Sequence, residues 1–555
     1  MTKMTKTIDE MKQEIPGYID LKTKFEAYTG DEPYLFISYS HRDTDKVYPI
    51  LDELYDKKYR MWYDESCETG NDFRDELKNK IEGCVGVILF VSESSMNSPF
   101  CGMEILCAKE KNKRIFPVYL GDNVEVPPAF QIFLANLHHS TATDKRKMIA
   151  SLLRDLPAES MDRLTMNDQK DVLEKCEDNG ETITVPEGIK TIGPNAFKNR
   201  TRFKTISLPE TLEVIDDEAF RACANLKSID VPKNTRKIGN SAFRDCIGLT
   251  SLSVKNELIK IGDRAFENCP NLTSIELPDG LSEIYASVFN GCKNLKSIHF
   301  PSELTVIGEN AFADCVMLDE VILPETIIKI DDLVFSGCSG IKNLHLPEGL
   351  KKIGKAAFKN CTSLTTVNIP SSVIYLSTDL FRGCGGLKSI VVNPKNKHYK
   401  SEPNKRDGND HVLFNKNKSM IIAYPASSRE VQYDIPDSVT VISDWTFSEC
   451  NKLNRISIPD SVNEIGEGAF CNCKLLDELI IPDSVERIDD CAFRGCESLE
   501  RILIPSSVVE LGWGLFDGCN ENLVVYCDEN SAIYEYCKRM KNEIQCKRID
   551  EMETD

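Results

Sequence analysis

A phenylalanine returns every 23 residues through the second half of the chain, at Phe197, Phe220, Phe243, Phe266, Phe289, Phe312, Phe335, Phe358 and Phe381, and again at Phe447, Phe470, Phe493 and Phe516. A unit of 23 residues is too short to bury an apolar face by itself, so each must stack on its neighbours, and the product is a solenoid. The unit LTSIELPDGLSEIYASVFNGCKN, from Leu272, shows how one coil closes. Leu272, Ile275 and Leu277 line one side of a short extended segment, which Pro278 ends because proline cannot donate into a ladder. After a turn, Leu281 and Ile284 point back inward, and Val288, Phe289 and Cys292 close the coil from the opposite wall.

A cysteine follows three residues after the phenylalanine in every coil but the first, from Cys223 to Cys519; the first has Arg200 there, as a terminal unit facing solvent would. Such a row invites metal or redox chemistry, but a free cysteine is also a small, readily buried apolar residue, and a packed interior row is the stronger reading. Of the 22 cysteines, neither these nor the pair Cys471 and Cys473 have a second pair at zinc-finger spacing, so no metal site is expected.

Residues 393–436 interrupt the period with a polar, turn-rich stretch followed by VLF and MIIAYP, which predicts a hairpin-bearing insertion. SAIYEYCKRMKNEIQC reads as a short amphipathic helix capping the far end. Strand alternation turns Lys204, Thr205, Lys227, Ser228, Thr250, Ser251, Thr273, Ser274, Lys296 and Ser297 outward in the early coils, and the acidic Asp477, Glu478 and Glu500 in the late ones. That face reads either as a plainly solvated sheet or as a surface that binds a ligand.

The first part of the chain follows a different pattern. YLFISY, YRMWY, VGVILFV and RIFPVYL are short apolar runs separated by helix-compatible segments such as NDFRDELKNKIEGC. Strands without polar alternation are buried on both faces, which predicts an α/β doubly wound domain of flavodoxin-like type with a parallel sheet. Ligands of such sheets bind beyond the carboxyl ends of the strands, so the loops after LFISY, MWY and ILFVS converge on the expected site. The chain contains neither GxGxxG nor GxxxxGK[ST], and His138 and His139 read as incidental.

A net charge of −21 and an isoelectric point near 5.0 give the wrong sign for gripping phosphate backbones or anionic lipid heads, so nucleic-acid binding is not expected. The first residues lack the apolar run of an export signal, and no stretch reaches membrane-spanning length. A cytoplasmic protein with reduced thiols is the expectation.

The pattern LxxIxIPxxVxxIGxxAFxxC resembles the leucine-rich repeats of BspA-like proteins over residues 181–527. The resemblance implies a recognition surface for a protein or glycan ligand, without catalysis. FISYSHRD, WYDESCETGNDF around Gly70 and SPFCGMEI resemble the three signature regions of Toll/interleukin-1 receptor (TIR) domains. The layout that follows is an N-terminal extension (1–32), a TIR domain (33–156), a helical connector (157–180), the repeats (181–527) and a helical cap with tail (528–555).

The TIR resemblance implies partnership with other TIR domains and, in many members, cleavage of NAD+ as substrate at its nicotinamide–ribose bond. Such members use a glutamate in an S-x-x-C-x-x-E context, matched here by Ser98, Cys101 and Glu104, with Phe100 where the family more often has tryptophan. Breaking that bond leaves positive charge on the ribose, which a buried carboxylate stabilises. By the same resemblance Tyr39, Ser40, His41, Trp62 and Glu65 are expected to contact substrate, and the pocket to need a neighbouring TIR subunit. Other readings stay open: Glu104 as a helix-surface acid, Trp62 as core, and the domain as an adaptor without activity, since fold alone does not settle function.

Overall fold

The computed structural model describes residues 26–30, 32–64, 71–121, 124–134, 140–141, 145–157, 164–177, 180–254, 258–403, 410–540 and 544–552. Most of the N-terminal extension, Glu65, the loop around Gly70 and His138 and His139 lie outside them. The chain divides into two compact units between Arg163 and Leu164.

In the first unit five strands, β1 (Leu35–Ser38), β2 (Met61–Trp62), β3 (Gly86–Val91), β4 (Ile115–Tyr119) and β5 (Ser140–Thr141), form one sheet in the order β2-β1-β3-β4-β5. Every pairing in it is parallel. Among the described residues six α-helices accompany it: α1 (Thr44–Asp56), α2 (Asn71–Gly83), α3 (Glu93–Met96), α4 (Pro99–Glu110), α5 (Pro128–Leu134) and α6 (Lys145–Asp155). β1 and β3 are buried along their whole lengths, as their unbroken apolar sequences require. This is the flavodoxin-like order, and its crevice lies where β1 and β3 depart in opposite directions.

The second unit is the solenoid. Equivalent strands pair in parallel at an offset of 23 residues, as in Ile307↔Ile330↔Ile353, and the period therefore sets the register directly. The phenylalanines stack as an internal column, with successive centroids 4.7 Å apart at Phe197–Phe220 and 6.1 Å at Phe358–Phe381. Two residues after the phenylalanine the backbone is left-handed in every coil, for example at Asn268, Gly291 and Asp314, which explains the recurring Asn, Asp or Gly. Eleven of the row cysteines donate to the carbonyl oxygen of the phenylalanine 26 residues earlier, at 3.0–3.3 Å. The thiol thus fills space and answers a backbone acceptor in the preceding coil.

The helical reading of 157–180 is corrected over 164–177; residues 158–163 and 178–179 lie outside the described residues. β6 (Leu164–Met166) and β7 (Val172–Cys176) form an antiparallel hairpin, and β7 pairs in parallel with β8 (Thr191–Ile192). Asn167 makes the turn: its Oδ1 accepts from the amides of Asp171 and Val172 at 3.0 Å, and Lys170 takes a positive φ of 55°. The expected hairpins of the insertion are present as β9 (Tyr399–Pro403), β10 (His411–Asn415) and β11 (Met420–Ala423), paired antiparallel. Leu413 of β10 enters the apolar core of the earlier coils, while Val412 and Phe414 enter that of the later coils. Here the phenylalanine column is broken, and Tyr424 stands 5.2 Å from Phe447 in its place. At the far end α7 (Ala532–Arg539), capped by Ser531, buries Ile533 and Cys537.

The named Lys, Ser and Thr residues of the early coils are exposed. The acidic reading of the late coils is modified by arginine: Glu478 sits in register with Arg455 and Arg501, and the Arg501 guanidinium lies 3.5 Å from its carboxylate.

Candidate active site

Glu104 is placed by the start of α4. The Ser98 hydroxyl caps the helix by accepting from the Cys101 amide, and Pro99 opens the first turn. The helix then buries Cys101, Glu104, Ile105 and Ala108, a stripe of positions three and four apart, and Glu104 belongs to this inward face. At 8% exposure its carboxyl is withdrawn from water rather than displayed on the helix surface.

The Ser38 hydroxyl, on the last residue of β1, donates to Glu104 Oε2 at 2.5 Å. Burial raises the Glu104 pKa to about 8; the Ser38 hydrogen bond opposes the rise and the Asp64 charge adds to it. The Cys101 thiol is pushed up to about 12, mainly by burial and then by Glu104, and also feels Ser98 and Ser38. The S-x-x-C-x-x-E spacing thus gathers around the carboxyl end of β1.

A second buried link crosses the same crevice. Ser92, just after β3, donates through its hydroxyl to Asp43 at 2.5 Å, and Asp43 follows β1. Ser92 also caps α3, exchanging hydrogen bonds of 2.9 Å with Ser95. Sequence reasoning missed Ser38, Asp43 and Ser92; the available signal was a small polar residue at the end of a fully apolar strand.

The remaining expected contact residues divide. The Tyr39 ring is buried, its hydroxyl 3.3 Å from that of Tyr48, and burial pushes the phenol well above its ordinary value. His41 is exposed with its ring centroid 5.2 Å from Tyr39, and Ser40 accepts from the Arg42 amide as cap of the turn His41–Asp43. Phe100, one helical turn before Glu104, is 44% exposed. Trp62 requires a correction: it is 7% exposed, its ring stacks on Phe36 at 5.0 Å, and it packs with Leu77, Ile81 and Ala108 in the core.

Family models match two regions. The BspA type leucine rich repeat region (6 copies) matches residues 169–296, 282–402 and 426–544, and the TIR domain matches residues 35–153. The chain belongs to the BspA-type leucine-rich repeat family. Its BspA-type repeats are similar in structure to a leucine-rich repeat protein from Bacteroides ovatus, at 26% identity, a TM-score of 0.46 and coverage of 70% of this chain and 91% of that one. For one from Eubacterium ventriosum the figures are 30%, 0.43, 47% and 68%. A leucine rich cell surface protein from Faecalibacterium prausnitzii gives 23%, 0.40, 63% and 92%. No curated protein matches the chain. A TIR domain joined to BspA-type repeats is the make-up of a signalling-type protein, and TIR domains commonly interact with one another. No helix among the described residues is long and apolar enough to cross a membrane.

Proposed function

We propose that this protein hydrolyses NAD+ to nicotinamide and an ADP-ribose product when its TIR domains are clustered, with the repeats as the module that recognises a ligand and brings chains together. The observation that carries the reading is the Glu104 carboxyl, buried at the carboxyl end of β1 and hydrogen-bonded to Ser38. In the reaction the bond between ribose C1′ and the nicotinamide nitrogen breaks, and its electron pair leaves with the neutral ring. The carboxylate faces the cation left on the ribose. Water then adds to C1′ and its surplus proton passes to the carboxylate and on to solvent.

With its pKa raised to about 8, Glu104 is largely protonated at neutral pH in the free protein. A cationic nicotinamide riboside entering beside it favours the ionised form, so substrate binding releases a proton and creates the charge that the reaction needs. Cytoplasmic placement is part of this reading.

The test is to capture the full chain on a clustering surface, add NAD+ and measure nicotinamide. Release by the wild type and none by Glu104→Ala is the expected result; release that persists in Glu104→Ala overturns the assignment. The adaptor reading is favoured by one observation: α4 leaves two large apolar side chains open to a partner, Phe100 at 44% and Leu106 at 54% exposure. It predicts TIR pairing without nicotinamide release under any clustering condition.

A further inference from the structure

We propose that the TIR unit carries a second ligand site, for a small phosphate-bearing anion, in a cleft at the amino-terminal edge of its sheet. The cleft has a volume of about 490 Å³ and is bordered by Ile115, the first residue of β4. Because the strands are parallel, Lys113, Arg114 and Ile115 stand at the edge opposite Ser38, and Ile105 of α4 also lines the cleft. That volume lies within the range of small-molecule sites, roughly 300–1,000 Å³.

Its charge is opposite to that of the chain. Lys109, Lys113 and Arg114 line it with Asp155 as the one acidic member, in a protein of net charge −21. Part of this is explained by the fold, since Lys113 donates to the Cys84 carbonyl at 2.8 Å and Arg114 to that of Asp155 at 3.5 Å, both at helix carboxyl ends. That leaves two donors on the ammonium and four on the guanidinium. Lys109 makes no such contact among the described residues; its ammonium lies 3.1 Å above the centroid of the Phe133 ring. Arg114 likewise sits 5.0 Å from the Phe116 ring centroid. The rings position the cations without neutralising them, which leaves a doubly positive pocket whose complement is a dianion.

The site is independent of the NAD+ reading, and the experiment separates them. Calorimetric titration of the full chain at low salt uses inorganic pyrophosphate and, separately, ADP. Pyrophosphate is expected to bind once per chain, at least tenfold more weakly in the variant carrying Lys109→Gln and Arg114→Gln, several-fold more tightly in Asp155→Asn, and unchanged in Glu104→Gln. ADP is expected to occupy the same site with the same response to Lys109→Gln and Arg114→Gln, and any second ADP site, that of the NAD+ reading, is insensitive to that double variant. Tighter binding of ADP than of pyrophosphate assigns a nucleotide as the source; equal binding assigns free polyphosphate. No heat of binding at millimolar ligand, or equal affinity in the double variant, overturns the proposal. The three positions are at the surface, and far-ultraviolet circular dichroism verifies that each variant folds.

Discussion

The hydroxyl of Ser38 and the carboxyl of Glu104, 66 residues apart in sequence, meet at 2.5 Å where the first strand ends. The contact supplies one hydrogen bond to an acid that burial has otherwise separated from water, and burial prevails: the pKa rises to about 8 from an ordinary value of 4.5.

Stability should therefore depend on pH through this residue. A carboxyl with a raised folded pKa holds its proton more tightly folded than unfolded, so its unfavourable contribution begins above pH 4.5 and is complete above about pH 8. Urea unfolding of the wild type should lose on the order of a few kcal/mol between pH 5 and 9 relative to Glu104→Gln. Parallel pH curves for the two proteins would contradict this.

Removing the hydroxyl should raise the pKa further, because the Ser38 hydrogen bond lowers it. In Ser38→Ala the acidic limb of the pH profile for nicotinamide release should move above pH 8 with the basic plateau retained. A loss of rate equal at every pH would assign Ser38 a packing role only.

Ala222 occupies the left-handed position of its coil, with φ of 59°, where Asn268 and Gly291 stand in others. A side chain there costs about 1 kcal/mol that glycine avoids, so Ala222→Gly should raise the unfolding midpoint. Asn268→Val, placing a branched side chain at φ of 57°, should lower stability by about 1–2 kcal/mol. Denaturant curves on the two variants decide both.

The cysteine row should be chemically silent up to Cys496; its last member, Cys519, is half-buried and its thiol pKa is lowered by the hydrogen bond with Cys496. Burial pushes the Cys292 and Cys473 thiols up to about 12, and among the described cysteines Cys107, Cys491, Cys519 and Cys546 are the half-buried ones. Titration with a thiol reagent at pH 8 should register a handful of groups in the native chain and all 22 after unfolding. Fast native reaction of Cys292 would sink the packed-row account.

The solenoid was readable because its period is its register: a residue and the one 23 later become neighbours, so local sequence states a tertiary contact. The α/β order was readable for a related reason, the unbroken apolar strands. The hairpin at 164–176 was not, because VLEKC carries charges that suit an exposed helix and becomes a strand only by pairing with Thr191–Ile192. Trp62 was ambiguous because an aromatic at a strand end serves core and site equally, and only its stacking on Phe36 decides. Glu104 was singled out through the TIR resemblance, but the hydroxyl that meets it was not, since a serine ending an apolar strand gives no hint of which distant helix will face it.

The hairpin of the insertion divides its side chains between two cores, Leu413 to one and Phe414 to the other. It acts as a double-sided bulkhead in the array. Each half of the solenoid is sealed at this point by apolar side chains of its own, so fraying that starts at either end can stop there, leaving the opposite compartment dry and folded.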